Sequence, residues 1–275
     1  MNPKASVIVA FYNNLEFLEL VLAGFQRQNF RSFEVVIADD GSTQSVVNEL
    51  ETLKKNYEFP IRHVWHEDNG WRKNIILNKA VEIAEGNYLI FIDADCIPHQ
   101  SFVNDHWQSR KRGSFQAGRR VHLSPRINQK LDVSEVKSGC LENPSRYFID
   151  SLKSRPKTKN AEKAIRIPSS ILRSLVNQRK KKLLGCNMSM FKEDLLTLNG
   201  FDERYLHPGT GEDVDLNLRA VNAGFEIKSL QWSAIQYHIW HKSNNPTRHP
   251  DNLKILQENS QNKISATVYS RFYNK

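Results

Sequence analysis

The chain has 275 residues and a formal net charge of +9, with 39% hydrophobic and 10% aromatic residues, as in ordinary soluble globular proteins. This length allows one large domain or two small ones, and no apolar run approaches the length of a transmembrane helix. Three widely spaced cysteines (Cys96, Cys140 and Cys186) argue against a zinc site or a disulfide framework, and predict a reducing, cytosolic setting.

The positive charge is concentrated in one segment. Residues 146–182 carry twelve Lys and Arg residues against two acids, Asp150 and Glu162, which is a local balance of +10. The rest of the chain therefore sums to −1. This distribution argues against a protein wrapped in nucleic acid, and it indicates one local anionic partner.

The first ninety residues alternate predicted strands and helices. Apolar runs predict strands at 6–10, 33–38, 61–65 and 88–92, and helical spacing predicts helices at about 15–25, 43–55 and 71–84. Asn13 or Asn14 is the expected cap of the first helix, and Gly86 that of the third helix's end. This order predicts a parallel sheet with right-handed crossovers. Because neither a G-x-G-x-x-G nor a P-loop is present, side chains at the strand ends must hold any nucleotide.

Side chains suited to a nucleotide follow the first three strands. Phe11 and Tyr12 can stack on a base, and Asp39 or Asp40 can accept a hydrogen bond from a base N–H or a ribose hydroxyl. Arg72 and Lys73 open the third helix, where positive charge and free N–H groups favour phosphate. Each group also has an ordinary structural explanation, as core, turn or solvated face. Their meeting at one sheet edge favours the functional interpretation.

The fourth strand ends in two carboxylates. Asp93 and Asp95 are separated by one residue, so both can face one side of an extended chain. Paired carboxylates at this position suit a divalent cation bound with a diphosphate, although a turn with solvated acids would give the same pattern.

Beyond Pro98 the pattern predicts a helix at 101–111, a strand at 115–123 that continues the sheet, a strand at 185–191 and a helix at 192–198. A Gly/Pro loop then leads into a helix from Glu212 to Ala223, ended by Gly224. Glu212 and Asp213 lie in its first turn, where acids either complement the helix dipole or provide a general base. His238 and His241 follow a later strand and can supply an imidazole ligand to an ion at Asp95.

Taken together, these stretches resemble glycosyltransferase family 2 on the GT-A fold. The resemblance covers most of residues 5–241, and its first half ends in Phe91-Ile-Asp-Ala-Asp95. The block from Asn69-Gly-Trp-Arg to Asn78 and the Tyr237-His238 ending resemble the bacterial chondroitin-polymerase-like branch. The C-terminal part also resembles the ending of β-1,4-galactosyltransferases. The other matching stretches are Ser6 to Asn13, Ala38 to Thr43, Asn199 to Asp202 and Gly211 to Asp213.

The resemblance implies an inverting transfer of a hexose or N-acetylhexosamine from a UDP-sugar, with Mn²⁺ or Mg²⁺, in bacterial polysaccharide or lipopolysaccharide synthesis. By position, Asp213 is the base, with Glu212 beside it orienting a sugar. Asp40 holds uracil and Arg72 a phosphate or the base edge. The implied nucleotide and metal residues are Phe11, Tyr12, Lys73, Asn78, Asp93, Asp95 and His238, with His241 as the second choice for the metal. The pair Lys73-Asn74 departs from the branch's usual pattern of an aromatic residue, an arginine and apolar residues.

We expect an α/β fold with a Rossmann-like, mainly parallel sheet flanked by helices. The expected catalytic domain is 1–245, with a nucleotide-binding half at 1–123, an acceptor and metal half at 184–245 and a helical tail at 246–275. Residues 146–182 form a basic insertion whose predicted helix, capped by Ser169-Ser170, has Ile171, Leu172, Leu175, Val176 and Leu183 on one side and Arg173 and 179–182 on the other. Such a helix suits an anionic inner leaflet beside a saccharide or lipid-linked saccharide acceptor, unless the insertion is solvated and partly disordered.

Two other functions remain open on the sequence. A nucleotidyltransferase that makes sugar nucleotides would use a related sheet, but it needs a glycine-rich basic loop where Phe11-Tyr-Asn-Asn14 stands. A nucleic-acid-binding protein would use the basic insertion, and would leave the carboxylates without a function. We therefore expect a cytoplasmic enzyme, peripheral at the inner face of the membrane, with no nucleic-acid partner.

Overall fold

The computed structural model describes residues 2–153, 155–176, 182–242 and 249–273. The described strands are β1 (Ala5–Phe11), β2 (Phe33–Asp39), β3 (Ile61–Trp65), β4 (Tyr88–Asp93), β5 (Cys96–Pro98), β6 (Ser114–Ala117), β7 (Val121–His122), β8 (Met188–Phe191), β9 (Glu226–Ser229) and β10 (Gln236–His238). The α-helices are α1 (Leu15–Gln26), α2 (Gln44–Leu53), α3 (Lys73–Ile83), α4 (Phe102–Gln108), α5 (Pro125–Asn128), α6 (Val133–Ser138), α7 (Ser145–Lys153), α8 (Ser170–Val176), α9 (Lys192–Leu196), α10 (Glu212–Asn222) and α11 (Pro250–Gln261).

The central sheet has seven strands in the order β3-β2-β1-β4-β8-β6-β9. The first four are parallel, β8 is antiparallel to both of its neighbours, and β9 is parallel to β6. The predicted α/β class, with a mixed and mainly parallel sheet, is therefore confirmed. A smaller sheet, β5-β10-β7, brings residues 96–98 beside residues 236–238.

Helices cover both faces of β1, which explains its continuous apolar sequence. Val7 and Val9 face the core that contains α1, whereas Ile8 packs into the second core with Ile76 and Ala80 of α3. Asn14 is the cap of α1, since its side chain accepts a hydrogen bond from the Phe17 amide. The two cores hold the strand ends in place, and the polar groups that follow those ends are therefore fixed as well.

The prediction of one continuous strand over 115–123 is wrong. β6 stays in the central sheet, but the chain leaves it at Gly118, and β7 joins the smaller sheet. A Cβ at Gly118 would overlap the side-chain amide of Asn187. Asn187 Nδ2 donates to the carbonyl of Arg119 at 2.7 Å and fixes the departure of the chain from the sheet.

Two predicted helix ends also differ from the structure. Helix α3 is capped by Ala84 in an extended conformation. Gly86 is required for another reason, because a Cβ there would lie 2.6 Å from the backbone of Ala5. In the C-terminal tail, α11 ends at Gln261, and residues 262–273 form turns and bends instead of continuing the helix.

The described part of the basic insertion is attached to the domain. Arg166 makes a two-pronged ion pair with the buried Asp105, and the amide of Ile167 donates to the carbonyl of Trp232. A helix is present as predicted, with the Ser169 hydroxyl accepting from the Leu172 amide, but its described part ends at Val176. The predicted basic residues 179–181 lie outside the described residues. None of the described helices is long and apolar enough to span a membrane.

Candidate active site

The carboxyl ends of β1, β2 and β4 meet at one edge of the sheet because these strands are parallel. Phe11 is paired with Asp39, and Ala10 with Asp93. Beyond them lies a cleft of about 760 Å³, which is a size typical of small-molecule sites. The lining residues are Ala10, Phe11, Tyr12, Asn14, Phe17, Ala38, Asp40, Trp71, Lys73, Ile76, Asp93, Ala94, Asp95, Pro208, His241 and His249.

The aromatic surface open to a nucleotide base comes from Tyr12 and Trp71. Tyr12 is 51% exposed and donates from its hydroxyl to Asp68 at 2.9 Å, an interaction that raises the pKa of Tyr12. Trp71, which the sequence analysis did not assign to the site, is 40% exposed at the opening of the third helix. Phe11 was expected to stack on the base, but only 3% of it is exposed because it packs into the core.

The two acids after β2 have different roles. Asp39 is fully buried, accepting from the Ser42 amide and contacting His63, so it holds the turn together. Asp40 lines the cleft, with His66 Nε2 2.9 Å from Oδ1 and the Arg72 amide donating to Oδ2 at 3.0 Å. A carboxylate has about four acceptor positions, so Asp40 keeps capacity for a ligand N–H.

Lys73 lines the cleft but is paired with two carboxylates, and its contact with a phosphate stays a prediction. Its Nζ lies 2.9 Å from Asp93 Oδ1 and 2.8 Å from Glu212 Oε1, between the fourth strand and helix α10. Burial alone would lower the pKa of Lys73, but these two carboxylates outweigh it and hold the pKa well above its usual value. Lys73 therefore ties two parts of the site together.

Asn78 and Arg72 also differ from their expected positions. Asn78 is completely buried, and its side-chain amide bonds with the backbone of Phe201 and with Glu203. The prediction that Asn78 binds nucleotide is wrong for this reason, and the residue instead fixes the turn at 199–202. Arg72 caps α3 but does not line the cleft, so its contact with a phosphate stays a prediction.

Asp95, His238 and His241 form a cluster suited to a metal ion. Asp95 Oδ2 lies 3.2 Å from His238 Nε2 and 3.3 Å from His241 Nε2. Burial alone would raise the pKa of Asp95, but hydrogen bonds with the two histidines outweigh it and lower the pKa. The structure thus brings together the first and second choices for the imidazole ligand. Asp93 was expected to join them, but its carboxylate is paired with Lys73.

This donor set fits a divalent transition metal, because one carboxylate oxygen and two imidazole nitrogens lie within 4.8 Å of one another. His238 is positioned by β10, which pairs with β5 directly after Asp95. Asp95 and His241 both line the cleft, so an ion held by them would face a ligand there.

Asp213 is held at the start of α10 as a candidate base. Its Oδ2 accepts from the Gly185 amide at 3.1 Å. Burial raises the pKa of Asp213 to about 6, and the negative charge of Glu212 adds to the rise. A Cβ at Gly185 would lie 2.6 Å from Glu212 Oε1, so a side chain there would displace the Glu212 carboxylate. A carboxyl group with this pKa is ionised near neutral pH and accepts a proton more readily than an exposed aspartate.

The third acid of the same helix turn is structural. Asp215 is fully buried, where it pairs with Arg219 at 2.7 Å and accepts from Tyr205 and Asn259. These bonds fix α10, and therefore Asp213, against α11.

Arg120, which the sequence analysis placed only in a strand, is half-buried and has a raised pKa. Burial alone would lower its pKa, but Cys186, Cys96, Asp93 and Asp95 outweigh it and raise the pKa. Its Nη1 lies 3.4 Å from Cys186 Sγ. The signal that could have found it is Gly118-Arg119-Arg120, where a glycine takes the chain out of the sheet.

Comparisons with known sequences identify the family of this chain. The sequence model of glycosyl transferase family 2 matches residues 6–175. The chain belongs to glycosyltransferase family 2. A second model, described as the N-terminal domain of galactosyltransferase, matches residues 171–242 of this family 2 glycosyltransferase. This membership favours the glycosyltransferase interpretation over the nucleotidyltransferase and nucleic-acid-binding alternatives.

Among its relatives, the chondroitin synthase of Escherichia coli is 25% identical over 241 residues, covering 85% of this chain and 34% of that protein. This family 2 glycosyltransferase therefore spans about a third of the length of that relative.

Two solved structures are similar in fold. TarS 1–349 of S. aureus has a TM-score of 0.58 at 16% identity, covering 94% of this chain and 65% of that one, and TarS 1–349 is also known with UDP and with UDP-GlcNAc. The mannosyltransferase PcManGT of Pyrobaculum calidifontis, in complex with GDP-Man and Mn²⁺, has a TM-score of 0.56 at 18% identity, covering 94% and 70%. The fold is that of GT-A glycosyltransferases, as expected.

Proposed function

We propose that this chain transfers a hexose or an N-acetylhexosamine from a UDP-sugar to a saccharide or lipid-linked saccharide acceptor, with inversion at the anomeric carbon. One observation carries the proposal: Asp95 and two histidines lie at the cleft, and Lys73 joins Asp93, at the end of the same strand, to Glu212, the neighbour of Asp213. Lys73 thus links the strand end next to the proposed metal ligands to the helix start that carries the proposed base.

The donor cleft is suited to UDP. Tyr12 and Trp71 offer exposed rings for the base, and Asp40, oriented by His66, can accept from the uracil N–H. The TarS complexes with UDP and UDP-GlcNAc, on the same fold, support this choice of donor.

Asp95, His238 and His241 would hold Mn²⁺ or Mg²⁺, and the two nitrogen ligands favour Mn²⁺. When bound, such an ion neutralises negative charge on the leaving diphosphate. The Mn²⁺ in the PcManGT complex supports a divalent ion here. The charges of Asp93 and Asp95 contribute to the raised pKa of Arg120, so this arginine adds to the positive potential near them.

Asp213 is the proposed general base. It accepts the proton of the acceptor hydroxyl as that oxygen attacks the anomeric carbon from the face opposite the diphosphate. A single displacement assisted by one base inverts the configuration. Glu212, held by Lys73, is placed beside Asp213 to orient a sugar hydroxyl.

We place this reaction in bacterial cell-surface polysaccharide or lipopolysaccharide synthesis, in a reducing compartment. The relationship to chondroitin synthase and the free thiols of Cys96, Cys140 and Cys186 support this placement. The insertion is the proposed contact with an anionic membrane, since Ile171, Leu172, Leu175 and Val176 of α8 are each at least 55% exposed on a basic segment. Flotation with anionic liposomes tests this contact, and binding that is absent or insensitive to salt would refute it.

The decisive experiment is transfer from a panel of UDP-sugars with Mn²⁺ to saccharide acceptors, with the product anomer read by NMR. We expect an α-linked donor sugar to appear as a β-linked product. A product with the donor's configuration would overturn the inverting mechanism, and release of pyrophosphate from UTP and a sugar 1-phosphate would favour a nucleotidyltransferase.

A further inference from the structure

A second cavity, of about 360 Å³, adjoins the donor cleft at His241, which lines both. We call it the basic pocket. Its lining residues include three lysines and three histidines and no carboxylate: His122, Leu123, Pro156, Lys157, Lys159, His238, Trp240, His241 and Lys242. Since those lysines are positively charged at neutral pH, the wall facing the metal cluster has a strong positive charge.

Asp95 contacts two histidines of this pocket, but the pocket's lysines have no such partner among the described residues. Lysines elsewhere in the described residues, such as Lys54, Lys73, Lys111 and Lys228, pair with carboxylates. Within that part of the chain, Lys157, Lys159 and Lys242 form no ion pair with a carboxylate. An unbalanced cluster beside a reaction centre attracts an anionic ligand.

The segment that carries Lys157 and Lys159 is held firmly. Lys159 exchanges two backbone hydrogen bonds of 3.0 Å with His122 of β7. The buried Asp150 accepts from the hydroxyl and amide of Thr158 and from the hydroxyl of Ser124. Asp150 therefore anchors the lysine-bearing segment through Thr158.

The basic pocket meets the metal cluster, because His238 and His241 line it. Arg120 directly precedes β7, the strand that carries His122 of the pocket. Arg120 contacts Cys186, and the preceding residue, Gly185, donates its amide to Asp213. By contrast, the groups offered to the donor base, Tyr12, Asp40 and Trp71, line only the other cavity.

We propose that the basic pocket binds an anionic group of the acceptor, a phosphate or a carboxylate. This inference rests on the proposed function, since it assigns the acceptor chemistry of the same site. Lysines 157, 159 and 242 surround the anion, and the half-exposed Trp240 packs against the adjoining sugar ring. The family 2 glycosyltransferase then selects a charged acceptor by electrostatic attraction, in addition to the hydrogen bonds that orient its hydroxyl group.

The test measures binding without turnover. Methyl glucoside, methyl glucuronide and methyl glucoside 6-phosphate are titrated into the protein saturated with UDP and Mn²⁺, and the indole N–H signal of Trp240, assigned with Trp240→Phe, is followed by NMR. We expect both anionic glycosides to shift this signal and to bind at least tenfold more tightly than the neutral one, with an affinity that falls as salt is raised. Comparison of the affinities of the two anionic glycosides then shows whether the pocket prefers a phosphate or a carboxylate.

The variant Lys157→Gln/Lys159→Gln/Lys242→Gln should weaken binding of the preferred anion about tenfold or more, since each exposed contact with an ammonium contributes modestly. The matched control, Lys130→Gln/Lys137→Gln/Lys254→Gln, removes the same charge from exposed lysines outside both cavities and should bind as the parent does. Equal affinity for the neutral glycoside, or an unchanged affinity in the first variant, would overturn the proposal.

Two outcomes separate this inference from the proposed function. If the anions bind only when UDP is absent, the basic pocket holds the donor's diphosphate and the acceptor assignment is wrong. If anion binding behaves as expected but no UDP-sugar is turned over, the pocket stands and the proposed reaction fails.

Discussion

Lys73 and Glu212 form a salt bridge across the active site, with Nζ 2.8 Å from Oε1 and both side chains largely buried. The same ammonium group contacts Asp93, so one positive charge holds two carboxylates that are 119 residues apart in sequence. Without it, Asp93 and Glu212 would repel each other at the centre of the site.

Replacing Lys73 with Met should therefore destabilise the protein by about 2–3 kcal/mol, because two partly buried carboxylates lose their partner. It should also raise the pKa of Asp213, which the charge of Lys73 lowers. Chemical denaturation measures the first effect. The control, Lys54→Met, breaks a surface pair with Glu51 and should cost no more than about 0.5 kcal/mol. Equal losses in the two variants would contradict the bridging role.

Asp213→Asn should reduce transfer by about 10²–10⁴-fold while UDP-sugar binding is retained, because the variant cannot take the acceptor proton. Donor binding is measured by calorimetry and turnover by release of UDP. The control is the neighbouring variant Asp215→Asn, which removes the same charge from a structural residue. It breaks a buried ion pair with Arg219, so it should lower the stability of the protein more than its turnover. Full turnover by Asp213→Asn would exclude this residue as the base.

The raised pKa of Asp213 predicts how both activity and stability depend on pH. The base must be ionised, so kcat/KM should fall about tenfold per pH unit below about pH 6. In the unfolded chain the group ionises near its ordinary value of 3.8, whereas in the folded protein it does so near 6. Between these values the folded state holds the extra proton, so this group lowers stability as pH rises, with the full loss present above about pH 6.

Asp213→Asn should accordingly unfold at a higher temperature than the parent at pH 8 and at the same temperature at pH 3.5. The gain at pH 8 is at most about 3 kcal/mol, as expected for a pKa displaced by about two units. Differential scanning calorimetry at the two pH values gives the comparison. A gain of equal size at both would show that ionisation of Asp213 is not its cause.

The sequence was sufficient to predict the strand ends but not the partners of the residues there. Buried apolar runs fix where β1, β2 and β4 stop, and parallel pairing then brings Asp40 and Asp93 to one edge. Glu212, which pairs with Lys73, lies 139 residues later in the sequence, and no local sequence pattern indicates a contact over that separation. From its place at a helix start, Lys73 was assigned to phosphate, which is the ligand such a position favours in isolation.

Asn78 is a second residue whose distant partners the sequence did not reveal. Its position within a matching block suggested a ligand contact, whereas the structure uses its amide to hold the turn at 199–202. Similarly, a run of apolar residues predicted a single strand through Gly118. The side chain of Asn187 fills the space beside this glycine but comes from a distant segment, so the local sequence does not reveal it. Tertiary contacts decide these positions, and sequence spacing does not encode them.

Chelation should abolish transfer, and Mn²⁺ should restore it, if Asp95, His238 and His241 hold the ion. His238→Ala and His241→Ala should each weaken Mn²⁺ binding by about tenfold or more, because each removes one of three protein ligands. Bound Mn²⁺ is counted directly by electron paramagnetic resonance, so the measurement does not depend on activity. Another group of similar composition consists of His207, His249 and Asp251, of which His249 lines the cleft. His207→Ala controls for any ion held there. Loss of the high-affinity signal in His207→Ala, with the signal intact in His238→Ala, would move the metal site to that second group.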